Sequence, residues 1–311
     1  MEAVKRKKKT PSFKTGSLFN RKGMLFAHLA LVVPLVHFAI WYVYLNWQSI
    51  MLAFGYPYGG GEWHFTFMYF KQFFVEVIAP DTIIFKALRN TLLFFAASMI
   101  KMFICYLVSY FFFKKVYLHG AFKLIFMLPS IVSTVVLTSL FKSFITTYGP
   151  LWKFLYTVFG YELPPLLASS GTAKWVLLFY TLWAGFGVQM MIFVGAMNRI
   201  PGEILESAKL DGCSWVREML RIVLPLTWET FMIYFILGFA GVFTATGPIL
   251  YFTGMSQVYD TWTLSFFMFA QTRENLLNYA SAIGLILTLL TVPIVIATRL
   301  IVRRFNREIA Y

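Results

Sequence analysis

Six stretches of the chain are dominated by apolar residues: 24–47, 90–113, 121–145, 174–196, 228–251 and 279–302. Each reaches or exceeds the roughly 20 residues that a helix needs to cross about 30 Å of hydrocarbon. Only helices close all their backbone hydrogen bonds within one segment in lipid, and the apolar-out, polar-in alternation of a membrane barrel is absent. The pattern predicts an all-α membrane protein with six transmembrane helices. Polar or Pro/Gly positions interrupt the third and fifth runs. The first run follows a basic stretch, as a signal peptide would, but it is too long for such a segment and no small-residue cleavage site follows it, so it is expected to stay as helix 1. The divisions this suggests are a basic tail 1–23, an accessory helix 24–47, an extracytoplasmic loop 48–86, a core 87–304 and a short tail 305–311.

One polar interruption stands out in the second half, the loop 197–227. Five of the thirteen acids lie in or next to it: Glu203, Glu206, Asp211, Glu218 and Glu229. Two short helices are predicted. Pro201 marks the start of the first, because a first-turn residue needs no donor. Glu203 and Glu206 suit the positive end of its dipole. Gly212 stops it by adopting a positive φ. Ser214 then caps a second helix, in which Trp215, Met219 and Ile222 share a face, and Pro225 stiffens the connection to the next apolar run. The expected product is a helix-turn-helix knob between two membrane helices.

Composition agrees with the pattern: 59% of residues are hydrophobic, 20% aromatic and 13% charged, which no ordinary soluble surface allows. The net charge of +14 would suggest nucleic acid, but its distribution points to topology instead. Segments 1–23, 114–123, 197–227 and 299–311 hold 19 of the 27 Lys and Arg, whereas the alternate segments 48–89, 146–174 and 255–278 hold 6. This positive-inside bias predicts cytoplasmic N and C termini and a cytoplasmic 197–227 loop. The basic run Lys5–Lys9 then sits near anionic lipid and is not a nucleic-acid site. The aromatic run from Trp63 to Phe74 suits an element at headgroup depth, with partner docking as the alternative. Cys105 and Cys213 lie in a membrane helix and a cytoplasmic loop, which argues against a disulfide. His28 and His37 lack a third ligand for a metal.

Glu206, Ser207, Ala208, Gly212, Ile222, Leu224 and Pro225 together resemble the "EAA" loop of ABC-importer permeases: E-A-A, three residues, G, nine residues, I-x-L-P. The single departure is Ser207 for the middle Ala. Asp211 before the glycine, Asn90-Thr91, Leu128-Pro129, Tyr148-Gly-Pro150 and Tyr279-Ala-Ser-Ala-Ile-Gly284 are further likenesses, the last to carbohydrate-type members. The likeness covers about 85–305. It implies a type I ABC-importer permease (MetI-like) core in a bacterial cell membrane. Its loop would dock in the cleft of a separate ATPase subunit through Glu206, Ser207, Ala208, Asp211, Gly212, Ile222, Leu224 and Pro225. The implied partners are a second homologous permease (a heterodimer), two ATPase subunits that bind the ATP and Mg, and an extracytoplasmic solute-binding protein. The implied cargo is a sugar or oligosaccharide; a polyamine, a peptide or an anion is the alternative.

Within the membrane, Lys101 is expected either to face the interior or to snorkel. Trp183, Phe186 and Gln189, with Gly241, Thr244 and Thr246, are the candidate substrate pathway, since aromatic faces and an amide suit a sugar ring; plain helix packing is the competing explanation. The chain has no G-x-x-x-x-G-K-[S/T] phosphate loop, no H-E-x-x-H and no C-x-x-C, so neither catalysis nor a cofactor is expected of it alone. A transporter driven by an ion gradient would need intramembrane carboxylates, and the acids fall in loops or at helix ends.

Overall fold

The computed structural model describes residues 21–57, 63–244, 246, 248–255 and 260–306. The basic run Lys5–Lys9, all of residues 58–62, Gly247 and residues 307–311 lie outside the described residues. Two compact units divide at Leu52/Ala53. The first is helical: α1 (Arg21–Phe38) runs through one wide turn (Ala39–Tyr44) into α2 (Leu45–Phe54).

The second unit holds the rest. A hairpin, β1 (Gly55–Pro57) with β2 (Trp63–Phe65), pairs Gly55 with Phe65 and Pro57 with Trp63. Helices α3 (Met68–Ile78), α4 (Ile83–Phe113), α5 (His119–Ile131), α6 (Thr134–Ile145), α7 (Pro150–Phe159), α8 (Ser170–Ala184) and α9 (Phe186–Met197) follow. The polar loop supplies α10 (Gly202–Leu210), α11 (Trp215–Glu218), a wide turn Met219–Val223 and α12 (Leu224–Leu226). Then come α13 (Trp228–Ala240), α14 (Ile249–Thr253), α15 (Leu264–Arg273) and α16 (Leu277–Asn306).

Four helical stretches among the described residues are long and apolar enough to cross a membrane, and six if each of two sharply bent pairs counts as one span. One of these bends, and a separate break after Ala240, interrupt two of the expected helices. Run 121–145 breaks at Val132 and Ser133, both extended, where α5 turns by 108° into α6 and α7. Pro129, in the last turn of α5, withholds an N–H from the ladder there. Run 228–251 is helical only to Ala240; Gly241 begins a turn, and α14 resumes after Pro248. Run 90–113 begins earlier than its hydropathy suggests. Thr82 caps α4 by accepting from the Phe85 N–H at 3.2 Å, so Asn90 and Thr91 lie inside the helix and do not open it.

The expected external loop is also more ordered than its Gly/Pro content implies. Phe73 of α3 is buried, and Tyr279 of α16 donates to Glu76 Oε2 at 2.7 Å, so part of the aromatic run belongs to the core. Phe65, Phe67 and Phe74 stay exposed, as an interfacial element requires.

Two apolar clusters fill the second unit. One gathers Ile84, Phe94, Leu177, Tyr180, Phe252, Trp262, Phe266 and Ile283; the other gathers Met102, Tyr106, Tyr110, Met190, Phe193, Met219, Val223 and Phe231. α4 contributes to both, at opposite ends. α5 and α9 approach so closely at Gly187 that a Cβ there would collide with the Phe126 carbonyl. Backbone cannot yield as a side chain can, so Gly187→Ala should lower stability by about 1–3 kcal/mol, the usual cost of overpacking. The thermal midpoint of the detergent-solubilised protein measures this; an unchanged midpoint would mean that the two helices are free to part.

Candidate functional site

The knob is built as its sequence asks. Gly202–Leu210 forms a helix with Pro201 immediately before it, one position earlier than expected, and Glu203 in the first turn. Its end is a tight double closure: Gly212 N–H donates to the Lys209 carbonyl at 3.1 Å, and Cys213 N–H to the Ala208 carbonyl at 3.0 Å. That closure requires the left-handed backbone Gly212 adopts, at φ 70°. Ala208 is buried, while Glu206, Ser207, Asp211 and Gly212 face out, with the Ser207 hydroxyl donating to the Glu203 carbonyl at 2.9 Å. Leu210, at 90% exposure, crowns the tip.

The second half departs from expectation in two ways. Ser214 stands at the predicted cap position, yet its side chain makes no capping bond. The Trp215, Met219, Ile222 face is also displaced. The wide turn at Met219–Val223 inserts a residue, so the buried stripe runs Glu218, Met219, Val223, Thr227, while Trp215 is exposed and Ile222 half-buried. Pro225 explains the insertion: it has no N–H for the Arg221 carbonyl and its ring crowds that oxygen, which a wider turn relieves. Leu224 and Pro225 are half-buried, and the chain turns 78° at Thr227 into α13.

A contact that hydropathy could not show fixes this stripe to α4. Glu218, 3% exposed, forms an ion pair with Lys114, the residue that ends α4. Lys114 Nζ also lies 5.8 Å from the centre of the Tyr110 ring. Two turns up the same face, Tyr106 and Thr227 share a hydroxyl–hydroxyl hydrogen bond of 2.7 Å.

Lys101 resolves toward the interior. Half-buried, its Nζ donates at 3.5 Å to the carbonyl of Gly185, which closes α8, and the negative end of that helix favours a cation. That break divides the other candidate residues. Trp183 packs with Phe141 and Tyr180, whereas Phe186 packs on Phe126. Gln189 is half-buried; Thr246 and Thr244 are exposed, and the Thr244 carbonyl accepts from Ser265 at 3.2 Å. Gly241 alone of the six lines a cavity of about 210 Å³, together with Thr91, Phe94, Ser98, Thr181, Gly238 and Thr263. The aromatic and threonine candidates therefore do not converge on one site. No cluster of metal-ligating side chains occurs among the described residues.

Comparison with known proteins gives a consistent set of matches. The family described as binding-protein-dependent transport system inner membrane component matches residues 102–311. Protein LplB of Bacillus subtilis (strain 168) is 25% identical over 329 aligned positions, covering 99% of each chain. The multiple sugar-binding transport system permease protein MsmF of Streptococcus mutans is 22% identical, covering 83% of this chain and 88% of its own. Among solved structures, one chain of a bacterial ABC transporter involved in the import of the acidic polysaccharide alginate superposes with a TM-score of 0.74 at 19% identity, covering 90% of this chain and 96% of that one.

Proposed function

Since the chain belongs to the family of binding-protein-dependent transport system inner membrane components, we propose that its 201–225 knob is the seat of a separate ATPase and that its cargo is a sugar or oligosaccharide. The chain is a multi-pass membrane permease subunit and not itself an enzyme; ATP and its Mg are bound by the partner ATPase. The observation that carries the proposal is the knob: the six-position likeness at 206–225 coincides with a short capped helix whose apolar tip residue is turned outward. In this reading the termini are cytoplasmic, 87–304 is the permease core and helix 24–47 an accessory. A second homologous permease completes the pathway, two ATPase subunits drive it, and an extracytoplasmic binding protein delivers the solute. Closure of the ATPase pair pushes each knob through the outward-facing Glu206, Ser207, Asp211 and Gly212, with Ala208 packing the inner face behind them, and α9 and α13 follow. The cavity lined by Gly241, Thr91, Ser98 and Thr181 is the part of the candidate pathway where a sugar could enter, with Ser98 supplying a hydroxyl. The carbohydrate assignment draws on MsmF and on the Tyr279–Gly284 pattern.

A single labelling experiment tests the seat. In a Cys213→Ser background, Lys209→Cys should react with a membrane-impermeant maleimide in inside-out vesicles and not in right-side-out ones. Reaction from the outer side would end the proposal, because no ATPase could reach the loop. In proteoliposomes of the whole importer, carbohydrates presented with the binding protein should raise ATP hydrolysis, and polyamines, peptides or anions should not.

A further inference from the structure

Among the described residues, α4 enters both apolar clusters as one helix without a turn in it. α8 and α9 are divided at Gly185, α5 ends at the Val132 break, and α13 stops at Ala240. With 31 residues, it is roughly 46 Å long at 1.5 Å per residue. Polar contacts pin it at each end. At the knob end, Tyr106, Tyr110 and Lys114 are spaced four apart, which places them on one face. That face meets the 218–227 stripe through the Lys114–Glu218 ion pair and the Tyr106–Thr227 bond.

At the other end, three consecutive residues hold the irregular segment 260–263 that leads into α15. Arg89 Nη2 lies 3.0 Å from Asp260 Oδ2. Asn90, 1% exposed, donates its Nδ2 to the Asp260 carbonyl at 2.9 Å and the Trp262 carbonyl at 3.1 Å. Thr91 Oγ1 accepts from the Leu264 N–H at 2.9 Å. A buried segment without regular structure must satisfy its backbone groups somewhere, and part of that need is met here by side chains of α4. The segment is therefore bound to follow the helix. Thr91 and Thr263 both line the 210 Å³ cavity, so relative movement at this end changes the shape of that cavity.

We propose that α4 is a transmission strut: it carries displacement of the docked knob to segment 260–264, so that the two ends of the permease switch together. Lys114 with Glu218, and Arg89 and Asn90 with Asp260, are its positioning residues. The proposal rests on the ATPase-docking reading of the knob and adds a second route to the direct pull on α9 and α13. Parting a charge pair of which one member is fully buried is costly, so the knob cannot shift without the end of α4.

The test uses the whole importer, purified with its ATPase subunits in nanodiscs, with Arg273→Cys at the exposed end of α15 as reporter in the Cys213→Ser background. Maleimide labelling is timed with and without ATP, Mg and orthovanadate. We expect the nucleotide to change the labelling rate by about tenfold in the otherwise native complex. Glu218→Gln or Asp260→Asn should each reduce this to under about twofold while the ATPase subunits still co-purify. Combining the two should cost no more than either alone, because both break one strut, whereas distant independent sites act additively. The charge-swapped pair Lys114→Glu with Glu218→Lys should restore the response, which separates transmission from simple misfolding. A nucleotide response that survives both single variants, or losses that multiply in the double, would overturn the strut. Absence of the ATPase subunits from the native complex would remove the docking reading beneath it.

Discussion

Leu210→Asp is expected to strip the ATPase subunits from the purified complex. Leu210 is 90% exposed at the end of α10, flanked by Lys209 and Asp211, in a loop too polar to lie in lipid. Around it the knob also exposes Trp215 at 53%, Val216 at 41% and Leu220 at 50%. An apolar tip ringed by charge is what a partner's pocket takes up, and central anchors of such contacts carry most of the binding energy. Truncating one costs about 2 kcal/mol or more, near thirtyfold in affinity, and a carboxylate forced into the same pocket costs further desolvation. The chain's own fold should not notice: a side chain this exposed touches little of its own protein, and changes at such sites stay within about 0.5 kcal/mol. Co-purification of the ATPase with tagged permease, beside the thermal midpoint, separates the two outcomes. Full occupancy by ATPase with Asp at 210 would place the docking contact elsewhere.

Much of this knob was legible because its requirements are local. A helix needs a residue able to take a positive φ to end on, and Gly212 supplies one; a crowded inner face needs a small residue, and Ala208 is small. The stripe facing α4 was not legible. Period-3.6 counting from Trp215 arrives at Ile222, but Pro225 forces a wider turn and moves burial to Val223. Ser214 has the right chemistry and backbone for a cap, with its hydroxyl turned elsewhere. The membrane helices follow the same rule. Hydropathy locates them, yet it averages over Val132–Ser133 and over Gly241, where the chain turns. The pathway candidates scatter on either side of the turn at Gly185: Trp183 packs on Phe141 and Tyr180, and Phe186 on Phe126, partners that a single sequence does not show. Lys101 shows what a single sequence withholds, since the oxygen it reaches lies 84 residues away.

Lys114→Met alone should lower stability by about 3 kcal/mol, whereas Lys114→Met combined with Glu218→Met should recover most of it. Glu218 is 3% exposed beside the end of α4, with little access to water. The Tyr110 hydroxyl nearby is buried and carries no charge, so it is no substitute for the ammonium. Removing Lys114 therefore leaves a desolvated carboxylate, which costs more than the pair contributes. Replacing both partners removes the charge and the need for it together. In thermal unfolding of the solubilised chain, the single variant should melt on the order of 5 °C below the native protein and the double much closer to it. Equal losses in both would mean that the packed stems, and not the charges, hold α11 to α4. If the apolar pair is as stable as the native one but transmits the nucleotide signal poorly, stability is not what this pair serves. A charge pair tolerates only a narrow range of geometries, whereas methionines slide past one another, and a strut needs the former at its joint.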